Sequence, residues 1–198
     1  SPIFKILKKC ELPFSDFEVI KKYCDKKKII FFSTPFDKES VQFLNHLKVK
    51  LFKVASFDIS NFELLEEISK TKKPTIISTG MASTQEITKT YNFFKKKKIE
   101  IALLHCVSSY PNSDKTSYLS NINYLKKKYN CKIGLSDHTN DIKVPIYSYL
   151  LGSNIIEKHF KINSKHRCVD SAVSITSLQF KKLRGELNNI DKILGSTK

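Results

Sequence analysis

The residues best suited to chemistry are two histidines, each closing a short apolar run: Ile133-Gly-Leu-Ser-Asp-His-Thr139 and Ile155-Ile-Glu-Lys-His-Phe160. Both runs have the composition of buried β-strands, and side chains two apart on a strand share a face. Ser136 therefore sides with His138, and Glu157 with His159. A lone histidine on an apolar strand is usually a hydrogen-bonded core residue. Two on consecutive strand ends, each with a polar residue at i−2, read instead as ligands for a divalent metal beside a carboxylate and a hydroxyl. Other apolar runs end in Thr34, Lys53, Ser56, Ser78, Thr79, Ser108 and Ser109. Hydroxyls around a lysine can cradle a phosphate or carboxylate. Lys53 is the informative member, since Leu51, Phe52, Val54 and Ala55 around it are apolar; its alternative is a chain snorkelling from a sheet end. With the carboxylates Asp58, Glu157 and Asp170, the set points to metal-assisted chemistry on a phosphorylated anion. His105, between Leu104 and Cys106, is expected in packed core or behind the site, His46 on a helix face, and His166 in solvent.

Positioning these residues requires a regular scaffold. Strand-like runs at Lys28–Phe32, Leu51–Ser56, Thr75–Gly80, Ile99–Val107, Cys131–Ser136 and Asn154–Phe160 alternate with helical patterns. A first helix ends before Pro13. Ser15 and Glu18 are spaced as a capping box for a second, with Phe14, Phe17, Ile20 and Tyr23 or Cys24 on its buried side; Ser83 and Glu86 form another box. The last helix, Ser177 to Leu194, starts on a Ser-x-x-Phe sequence without the box carboxylate and stops at Gly195. Apolar strands alternating with helices imply a parallel sheet covered by helices. In both (β/α)8 barrels and open doubly wound sheets, ligands collect at the strands' carboxyl ends. No GxGxxG or GxxxxGK[ST] loop is present, which argues against a nucleotide-binding open sheet. Six βα units fall short of eight, so either two precede the chain or the sheet is open.

Composition narrows the class. A hydrophobic share of 40% with 14 Phe in 198 residues suffices for one core. The net charge is +16, from 35 Lys+Arg against 19 Asp+Glu. The lysines come in runs (Lys26 to Lys28, Lys95 to Lys98, Lys126 to Lys128), each ending a helical segment, where cations suit the helix dipole. With no Trp and no nucleic-acid-binding module pattern, that charge reads as solvated helix ends. Five cysteines without CxxC or framework spacing suit a reducing cytosol, hence a cytoplasmic protein. No membrane-length apolar run or signal-peptide pattern appears. The chain begins Ser1-Pro2, as expected for part of something longer.

Taken in order, Phe32-Ser-Thr-Pro-Phe-Asp37, Phe52-Lys-Val-Ala-Ser56, Ile77-Ser-Thr-Gly-Met81, Leu104-His-Cys-Val-Ser-Ser-Tyr-Pro111, Gly134-Leu-Ser-Asp-His-Thr139 and Ile156-Glu-Lys-His-Phe160 resemble the N-acetylneuraminate (sialic acid) synthase family over almost the whole chain. The resemblance implies an α/β fold: an incomplete (β/α)8 TIM barrel over 1–198 carrying strands three to eight, without the first two strands or the C-terminal antifreeze-like domain. It implies metal-dependent condensation of phosphoenolpyruvate (PEP) with an open-chain N-acylmannosamine-type sugar, releasing phosphate and a nine-carbon 2-keto acid. It assigns His138 and His159 to a divalent ion (manganese or magnesium), and Thr34, Lys53, Ser56, Ser78, Ser108 and Ser136 to PEP. Tyr110, Asp58 and Asp170 fall to the sugar, and Lys53, Asp58 and Glu157 to catalysis, with Glu157 either orienting water or only pairing with a lysine. Asp58 stands where the family usually has Glu, and Ser108 where some members have Asn. Family members are usually dimers in which the antifreeze-like domain of one chain caps the partner's site. The motifs look more like sialic and legionaminic acid synthases than pseudaminic acid synthases; the pseudaminic alternative and a non-catalytic fragment or pseudoenzyme remain open.

Overall fold

The computed structural model describes residues 2–195. Helices α1 (Pro2–Cys10) and α2 (Phe14–Lys26) lead in, followed by α3 (Lys38–His46), four repeats of strand and helix, and a fifth strand. In chain order these are β1 (Phe52–Val54), α4 (Phe62–Lys70), β2 (Thr75–Ser78), α5 (Thr84–Lys96), β3 (Ile101–Cys106), α6 (Ser120–Lys128), β4 (Lys132–Asp137), α7 (Lys143–Leu150) and β5 (Ile155–Lys158). A two-stranded parallel ribbon, β6 (Phe160–Lys161) with β7 (Ile175–Thr176), then feeds α8 (Ser177–Leu194). The main sheet runs β1-β2-β3-β4-β5, every pair parallel and every neighbour consecutive. Consecutive parallel strands joined by helices form one arc of an α/β barrel.

The core lies between the sheet's outer face and the helices. Phe52, Val54, Ile77, Leu103 and Ile133 pack with Leu65, Ile68, Phe94, Ile122 and Leu125 from α4, α5 and α6. The alternate positions face inward and are more polar: Lys53, Ser78, Cys106, Ser136 and Glu157. A strand buried on one face and facing a cleft on the other gives this arrangement. Gly134 sits where β4 and β5 are closest. A Cβ there would lie 2.3 Å from the Ile155 carbonyl and 2.6 Å from Leu104 Cδ2.

Four helices leave the outer layer in the same way. Lys28, Lys48, Lys72 and Lys98 follow α2 to α5 with φ of 56°, 57°, 58° and 55°. The Lys28 and Lys98 amides donate to Asp25 and Lys95, and the next amides, of Ile29 and Ile99, reach back to Cys24 and Phe94. This left-handed exit usually carries glycine. The runs of lysine are thus built into helix ends, and Lys26, Lys27 and Lys28 are exposed.

Several local expectations need correction. Residues 29–36 carry no regular secondary structure and pair with no strand, so Lys28–Phe32 is not a sixth strand of the sheet. Ile29 and Ile30 are exposed, and no backbone ladder joins this stretch to β1 among the described residues. The Ser15–Glu18 box does not form: α2 begins at Phe14 with Pro13 at its N-cap, which places Ser15 inside the first turn. No residue of α2 is fully buried; Phe14 stacks on Phe43 at 4.1 Å, and Tyr23 is exposed. The box at Ser83–Glu86 is present. The last helix does have one, a residue earlier than expected, between Thr176 and Gln179, whose amide does the carboxylate's work.

Candidate active site

The carboxyl ends of the strands open into a cleft of about 520 Å³. Thr34, Lys53, Ser56, Ser78, Ser108, Tyr110, Ser136, His138, Glu157 and His159 line it, ten of the twelve residues to which the resemblance gives a role, whereas the strand-end hydroxyls of Thr79 and Ser109 are outside the lining. Each strand contributes through its pleat. β1 presents Lys53, β2 Ser78, β4 Ser136 and, just past its end, His138; β5 presents Glu157 and, one residue beyond its end, His159.

Lys53 is buried, and its ammonium donates to Ser78 Oγ at 2.8 Å and to the Val54 carbonyl at 3.1 Å. Its nearest counter-charge, Glu157 Oε2, lies 3.5 Å away, and Glu157 is held in turn by the Ser136 hydroxyl at 2.7 Å. A buried ammonium with one distant carboxylate retains attraction for an incoming anion. Glu157 thus pairs with Lys53 and lines the cleft as well, which is compatible with either role left open for it. Ser56 Oγ accepts the Gly80 amide at 3.1 Å. A Cβ on Gly80 would meet Ser108 Oγ at 2.7 Å, so the backbone here must be bare.

The two histidines are set as a pair. His138 Nδ1 is 2.8 Å from the Val107 carbonyl and His159 Nδ1 is 3.4 Å from Asp170 Oδ2. Each ring therefore has Nδ1 engaged and Nε2 left over, with centroids 5.4 Å apart. Metal-binding imidazoles are commonly oriented this way, by a carbonyl or carboxylate on the other nitrogen. Two free imidazole nitrogens could hold a divalent ion that takes its remaining ligands from substrate or water; among the described residues no cluster of three or more His, Cys, Asp or Glu able to hold a metal occurs. Burial holds His159 below the ordinary imidazole range, against the pull of Asp170, which favours the neutral ring. Burial also disfavours charge on His138, but the Cys106 thiol and the Val107 carbonyl outweigh it and raise its pKa. The Tyr110 ring packs 4.0 Å from His138 and edge-on to His159, and burial pushes its hydroxyl up to about 12.

Two expected members differ. Asp170 is outside the lining and acts on His159 from behind. Asp58 is placed otherwise than expected: it closes a 3-10 turn, is buried, and accepts from Asn61 Nδ2 at 3.0 Å instead of facing the cleft. Being one methylene shorter than glutamate, it reaches its own turn. Residues the sequence reading left out also line the cleft. Phe36 and Phe57 stack at 5.7 Å on the rim, with Met81 nearby. Cys106 sits with Sγ 3.9 Å from His138 Nδ1; burial raises its pKa, but bonds from His138, Ser56 and Ser136 bring it below the usual thiol range. Its place, two residues after Leu104 on an alternating strand, was the available signal. His105 points the other way, buried, with Nε2 2.7 Å from the Ser117 carbonyl, as expected of a packed histidine. His46 and His166 are exposed.

Known proteins are similar to this chain in fold and sequence. The solved N-acetylneuraminic acid (sialic acid) synthetase of Leptospira borgpetersenii serovar Hardjo-bovis, in complex with citrate, superposes with a TM-score of 0.94 at 39% identity, covering 98% of this chain and 68% of that one. The N,N'-diacetyllegionaminic acid synthase of Campylobacter jejuni is 35% identical over 194 residues, 96% of this chain and 58% of that protein. The pseudaminic acid synthase of Campylobacter jejuni is 32% identical over 197 residues, 99% of this chain and 57% of that protein. This chain therefore spans somewhat over half the length of these curated relatives. The NeuB family model matches residues 1–198. With a fold that superposes at a TM-score of 0.94 and a family match from end to end, this chain belongs to the NeuB family.

Proposed function

We propose that the cleft is the PEP and sugar site of a nonulosonic acid synthase. The observation that carries the reading is the meeting of Lys53, Ser78, Ser136, Glu157, His138 and His159, from four strand ends, in one cavity. The synthase activities of the relatives, from legionaminic and pseudaminic acid synthases to a sialic acid synthetase, support it. In this reading the Lys53 ammonium and the hydroxyls of Thr34, Ser56, Ser78, Ser108 and Ser136 orient PEP through its charged oxygens. Tyr110 holds the sugar beside the histidines, and Asp170 keeps the His159 ring in place. When bound at Nε2 of His138 and His159, a divalent ion, manganese or magnesium, supplies a Lewis acid for the sugar aldehyde. C3 of PEP attacks the aldehyde carbon and forms the new C–C bond. Water adds at C2, and the C2–oxygen bond to phosphorus breaks, releasing phosphate and leaving a 2-keto acid. Glu157, held by Ser136 and 3.5 Å from Lys53, orients that water and takes its proton.

The acceptor is an N-acylmannosamine-type sugar or a 2,4-diacetamido-6-deoxy relative. Similarity to legionaminic and pseudaminic acid synthases is nearly equal, at 35% and 32% identity, and does not choose between them. Mass spectrometry of reactions containing PEP, manganese and each sugar in turn tests the reading. A nine-carbon keto acid from at least one sugar is expected; no such product from any would overturn it. Asp58, withdrawn onto Asn61, favours a second reading, a non-catalytic member of the family, which would give that blank result. A cytoplasmic homodimer completes the proposal: the cysteines are free, and among the described residues no helix is long and apolar enough to cross a membrane.

A further inference from the structure

The strands that bring His138 and His159 together carry a second set of residues on their other face. β4 and β5 pair in the register Ser136 to Glu157 and Asp137 to Lys158. The pleat sends the first pair into the cleft and the second behind the sheet. There Lys158 Nζ lies 2.7 Å from Asp137 Oδ2, with the side chains only 4% and 2% exposed. The same ammonium donates to the Thr139 carbonyl. The Asp137 carboxylate also accepts the Thr139 amide at 3.1 Å and the Thr139 hydroxyl at 2.8 Å. Asp137 and Thr139 thus close a turn across His138, and Lys158 is the residue before His159.

No step in the cleft uses these charges, and they face away from it. Stability is a weak reason for them, because a buried ion pair can usually be exchanged for apolar residues of similar size without loss. What the network does is tie the backbone on both sides of His138 to the backbone just before His159. The side chains themselves are restrained at Nδ1, His138 by the Val107 carbonyl and the Cys106 thiol and His159 by Asp170, and both pack on Tyr110; none of these contacts fixes the backbone that carries them. Residues that lock the orientation of metal-binding side chains from behind commonly govern metal affinity.

We propose that Asp137 and Lys158 are positioning residues that set the spacing and facing of His138 and His159 for a divalent ion. The proposal rests on the metal reading of the two histidines given above. Its test is manganese binding to the purified protein, followed by electron paramagnetic resonance of the free ion, with thermal melting read alongside. The key variant combines Asp137→Asn with Lys158→Met, so that neither charge is left buried alone. It is expected to melt cooperatively and to bind manganese at least tenfold more weakly than wild type. A folded double variant with wild-type affinity would overturn the proposal. Should that variant not fold, Thr139→Val, which removes one bond to the carboxylate and spares the ion pair, is expected to weaken binding about threefold; unchanged affinity there would equally overturn it. Wild type and His138→Ala separate the two readings. Binding by wild type that is lost in His138→Ala supports the metal reading, whereas no manganese binding by wild type overturns it, and the positioning role with it.

Discussion

Lys53 is the one cation on the inner face of an otherwise apolar strand, and among the described residues its carboxylate partner is Glu157, 3.5 Å away. Charge-assisted hydrogen bonds contribute about 1.5–3 kcal/mol each, so Lys53→Ala is expected to lower kcat/KM for PEP about 10- to 100-fold or more, measured by steady-state kinetics. His138→Ala and His159→Ala are each expected to abolish metal-dependent turnover, and wild-type rates in either would remove the metal assignment. His105 is different. Burial lowers its pKa below 6.5, with the Ser117 carbonyl opposing. The neutral ring therefore contributes stability that is present above about pH 6.5 and lost as pH falls through the folded value. His105→Gln is expected to flatten the fall in Tm between pH 7 and pH 5, as thermal melts across that range would show. At this scale the sequence was legible wherever alternation along a strand decides which side chains share a face, as for Ser136 with His138 and Glu157 with His159. It placed Asp58 in the cleft, where the structure does not put it, because a carboxylate's partner depends on a turn, here the one that brings Asn61 to it.

Among the elements, the β4–β5 contact and the helix exits are the most exposed to change. Gly134→Ala would force a methyl against the Ile155 backbone; overpacking of this kind costs about 1–3 kcal/mol, which denaturant unfolding would register. Lys98, at φ 55°, holds a conformation better suited to glycine. Lys98→Gly is expected to raise stability by about 0.5–1 kcal/mol, the relief of the left-handed strain less the added entropy of the unfolded chain. Periodicity located the helices and β1 to β5, while caps moved by one or two residues: Pro13 took the place expected of Ser15, and Thr176 that of Ser177. Residues 29–36 look like a strand because Ile29, Ile30, Phe31 and Phe32 are apolar. Strand formation, however, needs a ladder partner, and among the described residues this stretch has none.

For the molecule as a whole, five parallel strands in consecutive order place every functional side chain at one rim and the lysine-rich helix exits at the opposite end. This division explains how a net charge of +16 coexists with a cleft whose ammonium and carboxylate, Lys53 and Glu157, lie together. The apolar residues Val19, Tyr23, Ile29 and Ile30 are 66%, 61%, 61% and 55% exposed. Exposed apolar groups of this kind bind hydrophobic dyes and associate. Ile29→Gln with Ile30→Gln is expected to reduce both dye fluorescence and concentration-dependent association in sedimentation runs. The central claim is chemical, that the cleft joins PEP to a sugar aldehyde. The most direct measurement is phosphate release from PEP by the purified protein with manganese, with and without each mannosamine-type sugar. The account predicts release that requires both the sugar and the metal and falls in Lys53→Ala. Release that is independent of sugar, or none with any sugar, would contradict it.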